Sequence, residues 1–189
     1  MEVVAKYFLY FIIYAFLDWT MEVLCKRVEL KRFVNRGFLI GPICPIYGYG
    51  VVGIILLIGD YSSDILSLFL KSILVCSILE YVTSYLMEKL FKARWWDYSK
   101  RNYNINGRIC LETMLPFGLL GCFVIYFLHP VVVKTVNILN PTFQISISIF
   151  VFILYSIDNL VSFKIMNKIK KEIKKTNNRQ YGAYQKKST

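Results

Sequence analysis

Apolar residues in this chain fall in long runs separated by clusters of charge, not in the short stripes that line a soluble core. A hydrocarbon layer of about 30 Å takes about 20 helical residues to cross. Five stretches approach that length: Tyr7–Cys25, Phe38–Ile58, Ile65–Met87, Ile109–Leu128 and Phe143–Phe163. The third carries Lys71 near its start and Glu80 within it. The pattern predicts an all-α integral membrane protein, a five-helix transmembrane bundle over residues 1–163 followed by a basic tail over 164–189.

Charge placement orients the bundle. Of 23 Lys and Arg residues, all but Lys6, Lys71 and Lys134 lie in the first connection, the third connection or the tail. Cytoplasmic connections collect cations, so the amino end is expected outside and the tail inside, and adding or removing one helix would destroy the alternation. Asp60 and Asp64 fall on the opposite side, in the short second connection. The first stretch lacks the basic start and small-residue cleavage site of a signal peptide and contains Asp18 and Glu22, so it is read as a helix that stays. Composition agrees: 56% hydrophobic residues and a mean hydropathy of +0.48 exceed the roughly 45–50% apolar content of soluble domains. A multi-pass protein of the cell membrane is expected.

The tail holds much of the net charge of +11. Ile165, Ile169 and Ile173 recur every four residues among its lysines, which predicts an amphipathic start lying on anionic lipid and disorder after Thr176. With few aromatic stacking partners, the tail does not suit a nucleic acid.

The second stretch is unusual in its backbone chemistry. Gly41, Pro42, Cys44, Pro45 and Tyr47 sit where two prolines withdraw two amide donors, so the helix is expected to be kinked, broken or re-entrant, as helices lining transport sites often are. The same glycines also suit close helix packing with a bend at the interface. Carboxylates inside the helices are costly in lipid and should face the bundle interior. Asp18 and Glu22 share one face of the first helix, Glu80, Ser84 and Glu88 form a stripe on the third beside Tyr81 and Tyr85, Glu112 follows Arg108 by one turn, and Asp158 stands beside Asn159 in the fifth. Orientation places Glu22, Glu88 and Glu112 near the cytoplasmic face, level with the Gly-Pro break, and Asp18, Glu80 and Asp158 deeper. The candidate substrate-binding set is Glu22, Glu80, Ser84, Glu88, Trp96, Asp97, Asn104, Arg108 and Glu112. Glu112 with Arg108, or Glu88 with Arg94, would equally make structural ion pairs. The third connection, Phe91 to Arg108, reads as an aromatic belt at the headgroups with an Asn106-Gly107 turn, or as a lid in which Asp97 and Arg108 pair or hold a polar ligand.

No phosphate loop, nucleophile elbow or HExxH helix occurs, so no catalytic residues are assigned and the chain is expected neither to power transport nor to need a cofactor. The five cysteines show no CxxC spacing and the single histidine, His129, is placed at the outer end of helix four; no disulfide framework and no metal site are predicted.

Three ordered blocks carry a resemblance: Phe33-Val34-Asn35-Arg36-Gly37-Phe38-Leu39-Ile40-Gly41-Pro42-Ile43-Cys44-Pro45-Ile46-Tyr47-Gly48, Leu79-Glu80-Tyr81-Val82-Thr83-Ser84-Tyr85-Leu86-Met87-Glu88, and Arg94-Trp95-Trp96-Asp97-Tyr98-Ser99 followed by Asn104-Ile105-Asn106-Gly107-Arg108-Ile109-Cys110-Leu111. At these residues the chain resembles the bacterial putative ABC-transporter type IV family, the CmpB-like putative ABC transporter permeases. Where that family often has Gly-Trp in helix one, this chain has Asp18-Trp19, which ranks Asp18 behind Glu22 as a functional residue. The resemblance implies a permease subunit of unspecified substrate, working with an ATPase subunit or as a homo-oligomer. An enzyme acting on a lipid or lipid-linked substrate through Glu80, Glu88, Asp97 and Arg108, and a non-catalytic scaffold, are the competing readings.

Overall fold

A computed structural model describes residues 1–58, 64–92 and 94–187, with side chains placed as far as Thr176; Asp60 lies outside these. The helices are α1 (Glu2–Leu30), α2 (Pro45–Ile58), α3 (Ile65–Phe91), α4 (Leu111–Phe123), α5 (His129–Ile138) and α6 (Pro141–Lys187), with a π-helical turn at Val124–Leu128 joining α4 to α5. Four spans among the described residues are long and apolar enough to cross a membrane: α1, α3, the continuous Leu111–Ile138 unit, and α6.

Two expected boundaries move. The second stretch is not helical over Phe38–Cys44; its helix begins at Pro45 and holds 14 residues, about 21 Å of rise, short of the hydrocarbon thickness. Neither proline interrupts a helix, because Pro45 opens α2, where a missing amide costs no internal hydrogen bond. The fourth stretch does not end at Leu128 but continues to Ile138. Pro130 would clash with the carbonyl four residues earlier in a regular helix; the preceding turn widens, and the His129 amide donates to the Val124 carbonyl, five residues back. His129 is therefore buried within the bundle, 1% exposed, with Tyr14 Oη 2.8 Å from its Nδ1. Asn140 then caps α6 by accepting from the Phe143 amide at 2.8 Å. The backbone of α6 runs to Lys187; Lys, Glu, Gln and Arg all tolerate helix well.

Contacts give the helix directions. Ser148, Phe152 and Tyr155 meet Ala5, Phe8 and Phe11 in ascending order, so α1 and α6 run parallel. Cys44 bonds to Ala15, and Tyr49 lies on Phe11, so α2 runs back along α1. Small residues allow close approach between α3 and α4: a Cβ on Gly121 would lie 2.2 Å from Ser72 Oγ. Leu9, Tyr10, Tyr14, Val124, Val132 and Val136 fill one core cluster and Ile54, Leu68, Val75 and Ile125 another, while Leu56, Leu74, Leu119 and Phe127 face outward as lipid-facing residues do. At one end, the Phe38, Phe91 and Phe163 rings pack together and Lys170 Nζ donates to the Leu90 carbonyl at 2.6 Å. The three cation-rich segments thus gather at the same end of the bundle.

Candidate functional site

The irregular segment before α2 has polar backbone that helix formation would have satisfied. Gly37 adopts φ 91, open to glycine and strained for other residues, and turns the chain inward. The Ile40 and Gly41 amides then donate to Asp158 Oδ1 and Oδ2 at 3.1 and 3.0 Å, and Ser162 Oγ is a further acceptor for Ile40. Asn35 Nδ2 donates to the Ile40 carbonyl at 2.8 Å, and its Oδ1 accepts from Trp19 Nε1 at 2.7 Å. The Cys44 amide donates to the Ala15 carbonyl of α1 at 2.9 Å. Non-helical backbone inside a helical bundle is tolerated where protein groups satisfy it, and here α1 and α6 supply them. A side chain at position 41 would meet Asp158, since a Cβ there would stand 2.8 Å from Oδ2.

Behind this clamp lies a cavity of about 660 Å³, within the range of ligand pockets. Its wall brings together Glu22, Cys44, Pro45 and Tyr47 with Glu80 and Trp96, six of the residues singled out in the sequence. Glu22 accepts from Arg36 Nε at 3.1 Å on one oxygen and from Tyr47 Oη at 3.4 Å on the other. Glu80, 6% exposed, accepts from Tyr98 Oη at 3.0 Å through Oε1, while its Oε2 is buried without a hydrogen-bond partner among the described residues. Burial first, and the nearby Glu80 charge second, raise the Tyr98 hydroxyl above the usual tyrosine value, so it remains a donor. Arg36 and Tyr98 belong to the site yet were not among the residues chosen from sequence; both stand in motif blocks, and only the folded connections carry them to their carboxylates.

Other candidates assemble elsewhere. Arg108, 8% exposed, reaches Glu88 at 2.7 Å and Ser84 Oγ at 3.2 Å, with its guanidinium over the Tyr81 and Tyr85 rings. Arg94 joins Glu88 at 2.9 Å, as one expected pair had it. The expected Asp97–Arg108 and Glu112–Arg108 pairs do not form: Arg108 is directed inward by the tyrosine faces, leaving Asp97 to Arg94 at 3.5 Å and Glu112 to Arg101 at 2.7 Å. Asp97 and Asn104 instead shape the third connection. Its Asn104–Ile105 and Ile109–Cys110 strands pair antiparallel across Asn106-Gly107, both at positive φ. Asp97 accepts from the Ser99 hydroxyl and amide, Asn104 Oδ1 accepts from the Gly107 amide at 2.9 Å, and Trp96 Nε1 donates to the Arg108 carbonyl at 2.9 Å. Those bonds from Ser99, and then Arg94, hold the Asp97 carboxyl below the usual carboxylate range.

Sequence spacing offers no metal motif, yet the fold gathers donor atoms of Asp18, Glu22 and Cys44 within 4.8 Å of one another. Spacing rules miss this group because Cys44 reaches α1 through backbone pairing 22 residues from Glu22.

Compared with known proteins, residues 9–163 match the family model described as Putative ABC-transporter type IV. No curated protein and no solved structure matches the chain.

Proposed function

Because the chain belongs to the putative ABC-transporter type IV family, we propose that it is the permease subunit of a transporter in the cell membrane, working with an ATPase subunit or as a homo-oligomer. In this reading α2 with its irregular lead-in makes a fifth crossing, the amino end faces outward, and the cation-rich end of the bundle faces the cytoplasm, where the exposed Ile165, Ile169 and Ile173 among lysines favour anionic lipid.

The observation that carries the proposal is Glu80: a carboxylate in the cavity wall with one oxygen buried and unpartnered. An intramembrane carboxylate without a full set of partners is costly and fits a group completed by cargo. Glu22, Tyr98 and Trp96 would complete the contacts. The test is native co-purification from mild detergent with mass spectrometry of retained proteins and lipids, repeated for Glu80→Gln. Recovery of a nucleotide-binding ATPase, with its hydrolysis uncoupled in the variant, is expected. Recovery of only lipid or a small metabolite, lost in Glu80→Gln, would overturn the permease reading in favour of a lipid-binding protein or enzyme.

A further inference from the structure

Asp18 is the helix-one carboxylate for which neither the ion pairs nor the irregular backbone has a use. It is 7% exposed, and its Oδ2 is buried with no hydrogen-bond partner. It lies one helical turn before Glu22 on the same face of α1. The chain returns to that face where the Cys44 amide donates to the carbonyl of Ala15, three residues before Asp18, which brings the Cys44 sulfur within 4.8 Å of a carboxylate oxygen of Asp18.

We propose that Asp18, Glu22 and Cys44 form a binding site for a divalent transition-metal ion of the zinc class, held by two carboxylate oxygens and one thiolate. The donor atoms lie within 4.8 Å of one another. Bonds of about 2.0–2.3 Å to a tetrahedral ion would hold them about 3.3–3.7 Å apart, a contraction that rotation of the two acidic side chains supplies. A thiolate among the ligands selects a borderline or soft cation over calcium or magnesium, which take oxygen shells. Glu22 and Cys44 both line the cavity, so a fourth position for water or an exchanging ligand faces it.

Charge balance supports the same ion. Arg36, 3.1 Å from Glu22, is the cation paired with the cluster and opposes metal entry. Binding breaks the Cys44 S–H bond and forms a metal–sulfur bond, and the thiol proton, with any proton held by the two carboxyls, leaves to solvent. Three anionic ligands, Arg36 and a divalent ion then sum to zero, the state a membrane interior favours. The site does not depend on the transport reading, since a metal-binding enzyme or scaffold would show it equally.

Titration of the detergent-solubilised full chain with Co²⁺ tests the proposal. One equivalent should produce the thiolate-to-cobalt charge-transfer band, which Zn²⁺ then abolishes. The band should vanish in Cys44→Ser, weaken by roughly tenfold or more in affinity in Asp18→Asn, and persist in Cys76→Ser, whose thiol lines the same cavity. No thiolate band, or one that survives Cys44→Ser, overturns the site. A second measurement needs no variant: saturating Zn²⁺ should slow alkylation of Cys44 in the native protein by about tenfold or more, reversibly with chelator, and an unchanged rate overturns the site as well.

Discussion

Asp158→Ala removes the acceptor that completes the backbone of the segment before α2. Two amides lose their carboxylate, but unequally: Ile40 retains Ser162 Oγ at 3.2 Å, whereas Gly41 has no acceptor among the described residues besides Asp158 Oδ2 at 3.0 Å. An orphaned amide in a partly buried place costs about 1–3 kcal/mol, so the net loss should be about 2 kcal/mol, roughly a thirtyfold rise in the open population of the segment. Cys44 reports that opening, because it is 5% exposed and sits at the end of the same segment. Its alkylation rate in detergent, followed by peptide mass, should rise about thirtyfold in Asp158→Ala. Asp158→Asn, which keeps one acceptor oxygen, should rise less. An unchanged Cys44 rate in Asp158→Ala, with native helix content, would refute the claim that α6 satisfies this backbone.

Two other outcomes follow from ion pairs of unequal burial. Glu88→Ala leaves Arg108, 8% exposed, without its carboxylate and should lower the melting temperature more than Glu112→Ala, which removes a partner of the exposed Arg101 and should cost under about 1 kcal/mol; equal melting shifts would contradict the assignment of Arg108 to the interior. The Asp97 carboxyl is held below its ordinary range by Ser99 and Arg94, so its contribution is present at neutral pH and disappears as pH falls through the folded value. Hydrogen-exchange protection of residues 97–107 should drop as pH falls below the ordinary carboxylate value of 3.8, and Asp97→Asn should show lower protection without that step; superimposable profiles would argue against it.

The membrane character of the chain and most of its long helices were legible because lipid asks only for length and apolarity, properties a window average sees. Phe38–Cys44 escaped because Leu39, Ile40 and Ile43 look like span while the decisive acceptor, Asp158, lies 118 residues from Ile40. His129–Ile138 escaped for the opposite reason: His129, Pro130, Lys134 and Asn137 read as a connection, yet a widened turn absorbs the proline and His129 is buried against Tyr14. At the candidate site the partners of each side chain were not legible in the sequence. Glu22 and Glu80 stood out as carboxylates in apolar helices and reach one cavity. Arg36 and Tyr98 come from connections whose course depends on Gly37 and on the Asn106-Gly107 turn. Glu112, one turn from Arg108 in sequence, faces out to Arg101.

The same 118-residue reach has a consequence for biosynthesis. A ribosome finishes the glycine-proline segment long before it makes α6, so during that interval the Ile40 and Gly41 amides lack the Asp158 and Ser162 acceptors of the folded bundle and need another partner. The last helix therefore completes what the first begins: α1 holds the end of the segment through Ala15, and α6 supplies the acceptors for Ile40 and Gly41.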